Sequence, residues 1–104
     1  MKYLVTMRRR EVPVQPDALA GMLLAQRDWL KEQVAAGTFD TAYTFAQAGG
    51  GIGIVNADSG EELNSILTSS PLFGVASMEV QPLADISTLE NAAAGLRRAA
   101  GVTA

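Results

Sequence analysis

The side chains able to do chemistry in this chain are few. Its 104 residues include no histidine and no cysteine, which removes the commonest general base at neutral pH, thiolate nucleophiles, disulfides and sulfur-ligated metals. Proton transfer falls to a carboxylate, to Tyr43 or to Lys31. The arresting feature is a pair of glutamines, Gln26 and Gln33, in the middle of an apolar stripe made by Leu19, Leu23, Leu30 and Val34 on one flank and Met22 and Trp29 on the other. A buried amide left unsatisfied costs about 1–3 kcal/mol, so these two either line a wet pocket or are satisfied by the sheet or a subunit interface. Arg27, at the edge of the stripe, could hold a carboxylate or enolate, and Trp29 could supply a flat apolar wall. We expect a pocket between this helix and the sheet, with Tyr43 and Arg27 as catalytic residues and Gln26, Trp29, Phe45 and Phe73 contacting the substrate. The alternative is that all of them pack in an ordinary core. Asp28, Lys31 and Glu32 fall on the far, solvent side.

These residues must be positioned by regular elements, and the clearest lie between Ser59 and Leu83. Ser59 and Glu62 have capping-box spacing, Leu63, Ile66 and Leu67 share one helical face, and Pro71 ends the helix. Alternation then predicts a strand from Val75 to Leu83, in which Pro82 either makes it an edge strand or marks its end. Upstream, Lys2 to Arg9 reads as a strand, and Asp17 to Ala36 as a long helix stopped by Gly37. In Thr38 to Ala46 strict alternation would put Phe39, Thr41, Tyr43 and Phe45 on one face, as core or as pocket wall. Gly49-Gly50-Gly51 tempts as a phosphate loop, but it lies between two strands and is better explained as a hairpin turn leading into a strand to Asn56.

The order strand, helix, strand, strand, helix, strand predicts an α+β, ferredoxin-like βαββαβ fold with a four-stranded antiparallel sheet and both helices on one face. Its other face has apolar residues and no helix, so a second subunit is the simplest cover. Ser87 and Glu90 repeat the capping spacing and predict an extra C-terminal helix from about Thr88 to Ala100. One domain over residues 1–86 and a helical tail over 87–104 are expected.

Composition adds limits. A net charge of -3 with Arg8-Arg9-Arg10 as the longest basic run leaves no footprint for nucleic acid. No apolar run approaches the ~20 residues that cross a bilayer, so no membrane association and a cytoplasmic location are expected. With 48% hydrophobic and only 18% charged residues, some apolar surface should remain for self-association.

Ser70-Pro71-Leu72-Phe73 after a short polar helix, followed by a strand read Met78-Glu79-Val80 and closing near Pro82-Leu83, resembles the C-terminal half of the muconolactone delta-isomerase family. The resemblance extends to Met1–Met7 and to Gly37-Thr38-Phe39. It implies a dimeric α+β barrel, assembled into larger oligomers, that moves a proton across an unsaturated lactone without metal or organic cofactor. Thr41-Ala42-Tyr43-Thr44-Phe45 is poorer in polar and basic residues than the family's second strand, so pocket groups do not carry over one by one. Three functions compete: such an isomerase; a related barrel enzyme, a cofactor-free monooxygenase or cyclase, for a larger apolar substrate; and a non-catalytic small-molecule-binding or assembly protein. A carboxylate in the cavity would favour the first, an aromatic cavity without ionisable groups the second, a filled core the third.

Overall fold

The computed structural model describes residues 1–101. In chain order they form β1 (Lys2–Arg9), α1 (Pro16–Ala35), β2 (Phe39–Thr44), β3 (Gly50–Asn56), α2 (Gly60–Thr68), a single 3-10 turn (Phe73–Val75), β4 (Ala76–Leu83) and α3 (Thr88–Ala99). The strands make one antiparallel sheet in the order β2-β3-β1-β4. This is the ferredoxin-like α+β arrangement that the element order predicts.

Local chemistry sets the element ends. Ser59 Oγ accepts from the Glu62 amide at 3.1 Å, while Glu62 Oε2 accepts from the Asp58 amide at 2.9 Å, so the capping box closes one residue further out than the usual pattern. Gly37, at φ +80, takes the left-handed turn that stops α1. The β2–β3 connection is a tight hairpin in which the Phe45 amide donates to Gly50 O at 2.9 Å. Gly50 and Gly51 belong to β3 itself, which removes any phosphate loop. Ser87 does not cap α3, because its own dihedrals are already helical. Asp85 does that work: its carboxylate accepts from the Ser87 amide at 3.0 Å, and this bond holds the carboxyl below the usual carboxylate range.

α1 and α2 cover one face of the sheet. Val5, Phe39 and Val55 from the strands meet Leu63 and Leu67 from α2, with Trp29 and Leu30 of α1 packed against them. Each such side chain contributes about 1.5–3 kcal/mol by burial. A second cluster of Leu72, Val75 and Ala76 packs with Met7, Val14 and Met22.

One irregularity redirects β2. The β2–β3 register slips between Phe39 and Thr41, leaving Asp40 as a bulge. Phe39, opposite Val55, is buried on the helix side. Past the bulge it is Ala42, opposite Gly53, that takes this side, so Tyr43, opposite Ile52, falls on the uncovered face. The aromatic row expected from strict alternation is therefore split. Lys2 Nζ donates to both Asp40 and Asn56, and Asn56 Nδ2 donates to Asp40 Oδ1 at 2.7 Å, which clamps the bulge across three strands.

Candidate active-site cleft

Between α1 and the covered sheet face lies a cleft of about 790 Å³. The sequence explains why the gap is not filled. Ala42 and Ala76 contribute only methyl groups to its floor, and at Gly53 the floor is covered by the Phe39 ring. Met7, Met78, Leu23, Trp29 and Val34 make up much of the rest of the wall. Trp29 meets Phe39 edge to face, with centroids 5.5 Å apart and planes at 81°.

The polar lining is sparse and one-signed. Among the described residues the ionisable side chains bordering the cleft are Arg9, Arg27, Lys31 and Tyr43, with neither an aspartate nor a glutamate among them. Arg9, Arg27 and Lys31 are exposed and stand at the mouth. Lys31, expected on the solvent side of α1, thus reaches the rim. Arg27 donates from Nε to Asp28 at 2.9 Å, so its charge is shared with a neighbour when no ligand competes. An anionic group entering here would meet the cations of the rim, with Asp28 competing for Arg27.

Deeper in, Gln26 is the buried polar residue of α1, 6% exposed. Its Oε1 accepts from Ser70 Oγ at 2.7 Å and from the Leu72 amide at 3.4 Å. Its Nε2 faces Met7 Sδ at 4.0 Å. The in-stripe amide is therefore satisfied on its oxygen side by the segment joining α2 to β4, and only weakly on its nitrogen side, because a thioether is a poor acceptor.

Of the residues expected to form a site, the structure brings Gln26, Arg27 and Trp29 together along α1. Tyr43 and Phe45 border the cleft along the β2 edge, but the Tyr43 side chain is 68% exposed on the uncovered face. Phe45 carries the Arg8 guanidinium 5.2 Å from its ring centroid. Phe73 is half exposed in the turn before β4 and does not line the cleft. Sequence reasoning missed Met7, Ser70, Leu72 and Gly53 as neighbours of this cleft. Gly53 was the available signal, since a glycine inside a strand often marks a close approach, here that of the Phe39 ring. Among the described residues no three histidine, cysteine, aspartate or glutamate side chains are grouped as a metal site, and no helix is long and apolar enough to cross a membrane.

Comparison with known proteins agrees with this architecture. The crystal structure of muconolactone isomerase superposes with a TM-score of 0.73 at 21% identity, covering 82% of this chain and 90% of that one. The 5-chloro-2-hydroxyhydroquinone dehydrochlorinase TftG from Burkholderia phenoliruptrix AC1100, in complex with 2,5-dihydroxybenzoquinone, superposes with a TM-score of 0.66 at 17% identity, covering 85% of this chain and 98% of that one. At these identities the likeness shows the fold alone. No curated protein matches in sequence. The sequence pattern of the muconolactone delta-isomerases, however, matches residues 1–87, all four strands and the first two helices included, and the chain belongs to that family.

Proposed function

We propose that this protein is a cytoplasmic, cofactor-free enzyme that moves a proton within a small unsaturated lactone or a related intermediate of aromatic degradation, and that it works as a homodimer or larger homo-oligomer. The observation that carries this reading is the α1–sheet cleft: apolar walls, cations at the mouth and one buried amide, in a chain of the muconolactone delta-isomerase family. An isomerisation of this kind removes a proton from a carbon conjugated with a carbonyl, passes through an enolate and returns a proton at the other end of the conjugated system. Arg27 suits the carboxylate or enolate at the mouth, Trp29 the flat body of the ligand, and Gln26 its deeper oxygen. With no carboxylate on the wall, Lys31 is the rim group that could exchange the proton. Tyr43 serves only a ligand lying at the β2 edge. The activity for which the family is named and the oxygenated ring held by the dehydrochlorinase support a small oxygenated ligand.

The absence of a wall carboxylate also favours a second reading, a cofactor-free monooxygenase or cyclase for a larger apolar substrate. Proton NMR of muconolactone in deuterated buffer separates the two. The isomerase reading expects deuterium uptake and a shifted double bond with the parent protein, and much slower uptake with Arg27→Ala. If muconolactone is neither exchanged nor isomerised while flat aromatic molecules bind, the second reading replaces the first.

A further inference from the structure

The geometry points to Gln26 as an orientation-locked hydrogen-bond donor that selects ligands carrying an acceptor oxygen at the depth of Met7. This inference rests on the cleft being a ligand site, as proposed above, and adds the polarity of its recognition.

An amide side chain can normally turn over and offer either its oxygen or its nitrogen. Here it cannot. The backbone N–H of Leu72 can only donate, so the Gln26 atom facing it at 3.4 Å must be the oxygen. Ser70 Oγ–H reinforces this at 2.7 Å, and Ser70 is itself 5% exposed, so water does not compete well for that bond. Turning the amide over would set the Nε2 hydrogens against the Leu72 hydrogen and leave the Leu72 amide with a single long bond to Ser70 Oγ at 3.4 Å. The lock joins two parts of the fold: α1 supplies the glutamine, and the segment joining α2 to β4 supplies both Ser70 and Leu72.

The consequence lies on the other side of the amide. Nε2 carries two hydrogens, and its partner is Met7 Sδ at 4.0 Å, the outer limit of a contact with sulfur. A donor held at fixed orientation beside an apolar cleft, with only a thioether before it, lacks a strong acceptor. A carbonyl, lactone or enolate oxygen entering past Met7 supplies one. A ligand group that can only donate, or a hydrocarbon edge, does not. The residue thus distinguishes oxygenated rings from hydrocarbons of equal size and would strengthen its bond as negative charge builds on that oxygen.

Coumarin and naphthalene test this, being flat bicyclic molecules of similar size of which only coumarin carries a lactone carbonyl. Affinities for both are measured by NMR titration with the parent, Gln26→Leu and Gln26→Glu. Glutamate keeps the acceptor toward Ser70 and Leu72 and so guards against a folding failure of the leucine variant; it is measured at pH 8, where a carboxylate accepting two hydrogen bonds is ionised. The parent should prefer coumarin, and both variants should lose that preference by about three- to tenfold while naphthalene binding holds, as expected for one neutral hydrogen bond. The side-chain amide resonance of Gln26 should move with coumarin and stay still with naphthalene, a response that a purely structural glutamine would not give. If naphthalene binds and the coumarin preference survives in both variants, the donor role is wrong and the cleft assignment stands. If neither molecule binds the parent, the cleft assignment fails and the donor role with it.

Discussion

Phe39 closes over Gly53 so tightly that a Cβ placed on residue 53 would fall 2.7 Å from Phe39 Cε2 and 2.9 Å from Cδ2. The ring cannot swing away freely, because Trp29 stands edge-on to it. Gly53→Ala should therefore destabilise the protein by about 1–3 kcal/mol through overpacking. The check is urea unfolding, in which the midpoint should fall with little change in slope. An unchanged midpoint would mean that the ring yields at no cost.

Ser70→Ala removes the hydroxyl that donates to Gln26 Oε1 and leaves that oxygen with one long bond. A loss of about 1–3 kcal/mol is expected, as for a buried polar atom deprived of its partner. Adding Gln26→Leu to Ser70→Ala should cost less than the sum of the two single changes, because the second removes the atom that the first had orphaned. Additive losses would show that the two side chains are not coupled.

Acid should release the bulge in β2. The hydrogen bond from Lys2, followed by that from Asn56, holds the Asp40 carboxyl below the usual carboxylate range. A depressed folded-state pKa stabilises the native protein fully above the unfolded value of about 3.9, and this contribution disappears as pH falls through the folded value. The melting temperatures of the parent and of Asp40→Asn should thus differ at pH 7 and converge as acid protonates the carboxyl. A difference that persists at low pH would remove the ionised carboxylate as its cause. Both partners are substantially exposed, so the effect should be small and should shrink in salt.

Self-association should depend on the sheet face that carries no helix. Leu4, Ile52 and Ile54 lie there half-buried in adjoining rows with Thr6 and Tyr43. Sedimentation equilibrium at micromolar concentration is expected to give a dimer or larger, and Ile52→Glu, which sets a charge into that face, should shift it toward monomer. A parent that stays monomeric would overturn self-association, and a variant that associates unchanged would place the contact elsewhere.

Much of this architecture is legible from residue types alone. The Ser59–Glu62 spacing, the stop at Gly37, the glycine hairpin and the edge position of the Pro82 strand all follow from backbone chemistry that acts within a few residues. Gln26 was visible as a polar residue in an apolar stripe. Its partners were not, because Ser70 and Leu72 lie 44 and 46 residues away and meet it only after the helices dock. The placement of Tyr43 was illegible for a different reason. Alternation assumes an unbroken ladder, whereas the bulge at Asp40 is held by Lys2 and Asn56 from two other strands. No pattern within β2 announces it.

The terminal helix α3 buries none of its residues and leaves Leu89 and Leu96 largely open. With it the chain measures 63 × 28 × 24 Å and has a radius of gyration of 18.1 Å, against roughly 13 Å for a compact domain of this length. Such an outrigger adds drag far out of proportion to its mass. A size-exclusion column calibrated with rounded proteins would elute a single copy early, in the position of something larger. Frictional ratio and molar mass therefore have to be read separately in this protein, by velocity sedimentation for the one and by light scattering for the other.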